Sequence, residues 1–130
     1  AKVLSDVSKE NLTKALDLEL NNTNFYMAAS LKSKDVKTSS MFKGISKVER
    51  EHASALCKHL QIEKPDTNVG SDQALDTDEE NMKEANRRER SAVKFYGQAI
   101  QESVEEDIKE FFKALVEIES DHIVLTDESK

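Results

Sequence analysis

The feature that most limits what this chain can become is an internal repeat. Displaced by 70 residues and with no gap, the sequence pairs Ala15 with Ala85, Glu19 with Glu89, Phe25 with Phe95 and Tyr26 with Tyr96. It also pairs Ala29 with Ala99, Phe42 with Phe112, Glu49 with Glu119 and His52 with His122. About a dozen of some fifty paired positions are identical, against roughly three expected of unrelated sequences. Two copies of one unit imply an approximate two-fold axis, and whatever lies on that axis meets the same residues twice.

The repeated unit reads as a helical hairpin. Helix formers dominate, and the chain has one proline and three glycines in 130 residues. A hydrophobic fraction of 37% is enough for one core beside a charged fraction of 35%. Four helices are predicted: from about Ser8 (as N-cap) to Lys34, Thr38 to Ile62, Thr77 to Ser103, and Glu105 to near the C-terminus. Thr77 and Glu80 have the capping-box spacing. The joints within each half, around 35–37 and 103–106, are short and make antiparallel hairpins. The halves are separated by residues 63–76, which hold Pro65 and Gly70. An extended stretch of ~14 residues reaches ~45 Å, longer than the ~38 Å of a 25-residue helix. The expectation is therefore one all-α domain over 1–130: an antiparallel four-helix bundle made of hairpin 8–62, a long crossover 63–76 and hairpin 77–128.

Charge and composition remove several classes of function. A net charge of -7 argues against a nucleic-acid partner, because phosphate binding needs clustered Lys and Arg. Arg87, Arg88 and Arg90 are interleaved with acids and read as a solvated face. No run approaches the ~20 apolar residues of a membrane span, and no signal peptide is evident, so a cytoplasmic location is expected. Cys57 is alone and reads as a small apolar helix residue. His59 reads as a surface histidine near a helix C-terminus, where positive charge suits the dipole. There is no Gly-rich phosphate loop or Ser-His-Asp arrangement.

The chemistry lies in the core stripes. At steps of three and four, helix one reads Leu12, Ala15 or Leu16, Glu19, Thr23, Tyr26, Ala29 or Ser30. Helix two reads Phe42, Ile45, Glu49, His52, Leu56. Helix three reads Met82, Ala85, Glu89, Val93, Tyr96, Ala99 or Ile100. Helix four reads Ile108, Phe112, Leu115, Glu119, His122, Leu125. Each stripe carries one glutamate at about the same height, and two add a histidine three residues later. Four carboxylates inside an apolar bundle repel and resist desolvation unless a cation joins them. The stripes hold no Lys or Arg at that height, so a pair of divalent cations is the natural counter-charge, about 3.5–4 Å apart as in other two-metal sites. Carboxylate and imidazole donors suit iron, manganese or zinc. The alternative is a plain bundle whose acids and histidines are exposed or paired among themselves. Glu51 and Asp121, between the motif residues, should face partly outward, with a hydrogen bond to a ligating histidine open to either.

A Glu from each of two helices and Glu-x-x-His from each of the other two is the pattern of ferritin-like diiron proteins. With Glu19 through Tyr26, Glu49-Arg50-Glu51-His52-Ala53, Glu89 through Tyr96 and Glu119-Ser120-Asp121-His122, the chain resembles the rubrerythrin branch of that superfamily over nearly its whole length. The resemblance implies a ferritin-like fold and two iron ions, with manganese or zinc as substitutes. It implies Glu19, Glu49, His52, Glu89, Glu119 and His122 as ligands, with Tyr26 and Tyr96 hydrogen-bonding toward the carboxylates. Two features depart from the family. The four-cysteine rubredoxin domain is not in this sequence, so a separate electron donor such as a rubredoxin is expected. The family's further glutamate, three residues after the lone Glu of helix three, is Ala92 here, and its symmetry mate is Asn22.

The expected function is an oxidoreductase that reduces hydrogen peroxide or dioxygen in oxidative-stress defence, as a homodimer or small homo-oligomer. The alternatives are a ferroxidase of iron storage and a non-enzymatic helical bundle.

Overall fold

A computed structural model describes residues 3–63 and 74–128. Four helices make up the fold: α1 (Asp6–Lys32), α2 (Val36–Leu60), α3 (Asp78–Glu102) and α4 (Glu106–Thr126). Helices α1 and α2 pack as one hairpin and α3 and α4 as the other, with α1 laid against α3. At one end Ser33 donates to Asp78 at 2.9 Å, and at the other Asn11 donates to Glu102 at 2.9 Å, so α1 and α3 are antiparallel. Helix α1 therefore opposes both α2 and α3, and the end of α2 lies across the bundle from the start of α3. That is the ferritin-like arrangement predicted from the linker length. Most of the predicted crossover falls on 64–73, outside the described residues. No helix among the described residues is long and apolar enough to cross a membrane.

Helix starts follow their capping chemistry. Thr77 accepts from the Glu80 amide at 3.1 Å, as its spacing predicts, while the Glu80 carboxylate takes the Thr77 hydroxyl rather than its amide. Asp35 caps α2 through the Thr38 amide at 2.9 Å, so the helix begins at Val36, two residues ahead of the predicted start. The cap of α1 is Ser5, whose hydroxyl accepts from the Ser8 amide at 3.2 Å, and not Ser8. Ser8 is buried one turn in because its own hydroxyl is needed elsewhere: it donates to Glu105 at 2.5 Å.

The predicted stripes are buried with three corrections, the first being that on α3 Asn81 is buried where half-buried Met82 was expected. Leu125 is 53% exposed, and Thr126, four residues after His122, takes the inward place. On α3 the inward residue beyond Glu89 is Ala92 rather than half-buried Val93. The α3 face is thus Ala85, Glu89, Ala92, Tyr96 and Ala99, narrow enough for close approach by α1. The apolar core forms two clusters. One gathers Leu12, Leu16, Leu56, Tyr96, Ile108, Phe112 and Leu115. The other gathers Phe25, Tyr26, Ala29, Phe42, Ile45 and Ala85. In chain order Glu19, Glu49 and Glu89 fall between the two clusters, and on α4 Glu119 follows the first, so a polar layer separates them.

Glu105 ties the two hairpins together. It stands at the N-cap of α4 yet makes no side-chain cap bond there. Its carboxylate accepts instead from the Ser5 amide at 2.7 Å, the Ser5 hydroxyl at 3.3 Å and the Ser8 hydroxyl. The Ser5 amide and the Ser8 hydroxyl hold its pKa down to about 2 from an ordinary 4.5. A depressed carboxylate adds stability above its ordinary pKa and loses it as pH falls through the folded value. Glu105→Ala should therefore destabilise the fold by about 1–2 kcal/mol near neutral pH, with the deficit shrinking below about pH 4. Urea melts of both proteins across that range check this.

Candidate metal centre

The structure brings all six predicted ligands into the middle layer. Glu19, Glu49, Glu89 and Glu119 are each 0% exposed, with His52 at 8% and His122 at 5%. Each sits on its helix one to two turns from large apolar residues, which is what drives the carboxylates inward. The donor atoms form two overlapping groups. Glu19, Glu49, His52 and Glu119 offer one ligand atom each within 4.8 Å of one another, and so do Glu49, Glu89, Glu119 and His122. The groups share Glu49 and Glu119 and exchange their other members under the 70-residue repeat. This is the geometry of two neighbouring cation positions with two carboxylates between them.

Both imidazoles turn Nδ1 inward. His52 Nδ1 lies 3.5 Å from Glu19, 3.4 Å from Glu49 and 3.9 Å from Glu119. His122 Nδ1 lies 3.4 Å from Glu49, 3.4 Å from Glu89 and 3.1 Å from Glu119. Among the described residues these histidines are the only basic side chains paired with the four carboxylates.

The tyrosines cross between repeats. The Tyr26 hydroxyl donates to Glu89 Oε2 at 2.5 Å, and the Tyr96 hydroxyl donates to Glu19 Oε2. Each ring is wedged by aromatic neighbours: Tyr26 by Phe25 and Phe42, Tyr96 by Phe95 and Phe112. Burial, reinforced by the neighbouring carboxylates, pushes both phenols well above their ordinary range. They stay neutral and act as fixed donors.

This layout sorts the carboxylate oxygens. Glu19 and Glu89 each have Oε2 held by a tyrosine and Oε1 buried without a partner. Glu49 and Glu119 have both oxygens buried without a hydrogen-bond partner. Among the described residues the only other such side chain, beyond the two histidines, is Asn22. A buried acceptor left unpaired costs about 1–3 kcal/mol, more when charged. Cations between these atoms would satisfy all of them, with one free oxygen at each end residue and two at each shared one. The donor set therefore fits a pair of divalent ions.

Several surrounding residues behave differently from their sequence reading. Arg88 is not on a solvated face: its guanidinium lies 4.3 Å from the Phe25 ring centre and donates to Asn22 at 2.9 Å and to Glu84 at 2.8 Å. Asn22 and Ser46 are buried nearby, the latter donating to the Thr23 carbonyl at 2.9 Å and stitching α1 to α2. Sequence reasoning gave Ser46 no role, although it falls between Ile45 and Glu49 on the inward arc. His59 lies in the last turn of α2, as expected of a helix C-terminal histidine, but is half-buried against Phe111, ring centres 4.4 Å apart, rather than on the surface. Glu51 and Asp121 are exposed, as predicted.

Without a cation, the layer holds protons. Burial, then repulsion from Glu19, Glu119 and Glu89, pushes Glu49 well above its ordinary range. Burial is also the main cause that raises Glu119 to about 8, against the pull of His122. Burial opposes charge on His122, but Glu119 and Glu89 overcome it and lift the imidazole to about 10. Both shifts have one sign: between the ordinary and folded pKa the folded state binds more protons, so stability falls as pH rises. Metal-stripped protein should lose melting temperature steadily from about pH 5 to about pH 9, whereas the rise caused by added metal should grow over the same window. Glu49→Ala should flatten the metal-free profile without lowering it, because a repelling charge is removed. Calorimetry of stripped and reloaded protein checks both statements.

Comparison with known proteins places this geometry. No curated protein sequence matches the chain. Among solved structures, Mycobacterium tuberculosis bacterioferritin BfrA superposes with a TM-score of 0.80 over 94% of this chain and 82% of that one, at 18% identity. At that identity the likeness speaks for the ferritin-like fold alone. A family model described as Rubrerythrin matches residues 10–127. With that match spanning all four helices and every residue of the layer, the chain belongs to the Rubrerythrin family.

Proposed function

We propose that Glu19, Glu49, His52, Glu89, Glu119 and His122 hold two iron ions, and that the protein is an oxidoreductase that reduces hydrogen peroxide or dioxygen. The observation that carries the proposal is the pair of four-residue groups sharing Glu49 and Glu119, buried, with their inward oxygens unpartnered. Two irons bound there would supply one electron each, so that a two-electron oxidant could be reduced without releasing a radical. Family membership supports the same reading. A cytoplasmic protein with a separate electron donor and manganese or zinc as substitute metals remains part of it.

The chain's own residues have three tasks. The shared glutamates supply both oxygens, and they give up their protons as metal enters. The tyrosines each hold one oxygen of Glu89 and Glu19 and so fix how the two carboxylates are turned. The two apolar clusters exclude bulk water from the layer, which strengthens every electrostatic contact inside it. Ala92 and Asn22 leave the set at six ligands, without the family's further carboxylate.

A second reading keeps the same buried donor set and makes it a ferroxidase that feeds iron storage. Assembly separates the two: a large closed shell in light scattering supports storage, and a small oligomer supports the reductase.

Two outcomes are expected. Protein loaded anaerobically with ferrous ion should bind two irons per chain and be oxidised by stoichiometric peroxide within seconds; a ferrous form inert to both peroxide and dioxygen overturns the redox reading. Tyr26→Phe and Tyr96→Phe should each weaken metal binding by about 10-fold or more, the size seen when a ligand loses its supporting hydrogen bond. Competition against a chromophoric chelator measures it, and unchanged affinity would reduce the tyrosines to core aromatics.

A further inference from the structure

The outer face of the first hairpin carries a groove that the metal layer does not use. It encloses about 450 Å³ and is lined by Met27 of α1 and by Ser40, Lys43, Gly44, Lys47 and Arg50 of α2. The three cations follow one another by four and three residues and form a row about 10 Å long on one side of the helix. All three are exposed, and none pairs with an acidic group among the described residues.

Two observations set this groove apart from an ordinary charged face. The first is the internal repeat, which supplies a control. At the matching places of the second hairpin, Ser40 becomes Glu110, Gly44 becomes Ala114, Lys47 becomes Glu117 and Arg50 becomes Ser120. Only Lys43 keeps its charge, as Lys113, and that lysine is paired with Glu110 at 3.3 Å. The basic row thus belongs to one hairpin and not to the fold. The second is Gly44. Glycine inside a helix costs about 0.5–1 kcal/mol relative to alanine. Neither backbone nor packing demands it here, since the residue is helical and an added Cβ would meet nothing within 4 Å. Its effect is to keep the floor of the groove bare.

We propose that this groove docks an acidic one-electron carrier protein that returns electrons to the centre; the inference rests on the redox reading above. The chain carries a net charge of -7, so an acidic partner is repelled by most of the surface and steered to this row. Three cations give a brief, salt-sensitive encounter, which suits a carrier that must leave after giving up its electron. The groove lies at the height of the layer, since Met27 follows Tyr26 on α1 and Arg50 follows Glu49 on α2. The balance is simple: reducing one peroxide to two waters takes two electrons and two protons. Two encounters, each oxidising one carrier by one electron, restore the centre. A nucleic acid fits less well, because so short a row neutralises few phosphates.

The test uses metal-loaded protein and a labelled acidic rubredoxin as the probe, with binding followed by anisotropy at low and at high salt. The expected result is binding at low salt that is lost at high salt. The triple variant Lys43→Glu, Lys47→Glu, Arg50→Glu should weaken it at least 10-fold. Gly44→Trp should weaken it several-fold with charge unchanged and the melting temperature kept. Lys113→Glu, on the control face, should change it less than two-fold. The proposal is overturned if the wild type does not bind, if the triple variant binds as the wild type does, if Lys113→Glu weakens binding as much as the triple variant, or if anionic vesicles compete the probe away. Peroxide oxidation of the ferrous protein is read separately: its failure bears on the proposed reaction, and failure of probe binding with that step intact bears on the groove.

Discussion

Four carboxylates in an apolar interior with no lysine or arginine among them is the constraint on which this structure turns. Removing a single ion from water costs several kcal/mol even after the protein relaxes, and these four also repel one another. The fold meets the problem in two ways. Two neutral tyrosines each hold one carboxylate oxygen, and two histidines bring imidazole nitrogens within 3.1–3.9 Å of all four carboxylates. What those groups leave unsatisfied is the set of oxygens pointing at the centre of the layer. The site is thus strained as a protein interior and well made as a cation cage, and the two descriptions are one fact.

The two-fold repeat is what makes such a cage affordable to fold. Glu49 and Glu119 arrive from α2 and α4, while Glu19 and Glu89 arrive from α1 and α3 and are each steadied by the other repeat's tyrosine. The crossing bonds require α1 and α3 to be antiparallel with Tyr26 level with Glu89, and the symmetry then places Tyr96 level with Glu19. Small residues on α3, Ala85, Ala92 and Ala99, let the helices approach closely enough for those bonds. The apolar clusters on either side frame the layer, and buried polar residues beyond it are satisfied locally, Ser8 by Glu105 and Thr126 by the His122 carbonyl and Asn86.

How legible this was depends on the range of the interaction. The layer of buried acids could be read from spacing, because steps of three and four put Glu19, Glu49, Glu89 and Glu119 among residues that must be buried. The Tyr26–Glu89 and Tyr96–Glu19 pairings could not, because they depend on the register between α1 and α3, which no local pattern encodes. Ser8 and Ser5 both suit an N-cap, and the choice is made by Glu105, about a hundred positions away in the chain. Leu125 and Thr126 show the reverse case. Hydrophobicity favours Leu125 inside, yet Thr126 goes in because its hydroxyl is satisfied by the His122 carbonyl at 2.8 Å and by the Asn86 amide at 3.2 Å. Arg88 was misread because its charge hides a long apolar stem that packs on Phe25.

The repeats agree inside and diverge outside, and the reason is physical. A pair of like cations related by the two-fold axis would need the same donors from both halves, which Glu49 with His52 and Glu119 with His122 offer. Solvent makes no such demand on Lys47 and Arg50, which face Glu117 and Ser120 across the repeat. Differences on the surface therefore cost the cage nothing, while any unmatched change within the layer would leave one cation position with a poorer set of donors than its neighbour. Asn22 and Ala92 are the telling exception. They are buried one turn from Glu19 and Glu89, yet they differ in polarity, and the Asn22 amide carbonyl is turned away to accept from Arg88 at 2.9 Å. That outward bond shows which side of the boundary the pair belongs to: it borders the layer without supplying it, so the two halves were free to fill it differently.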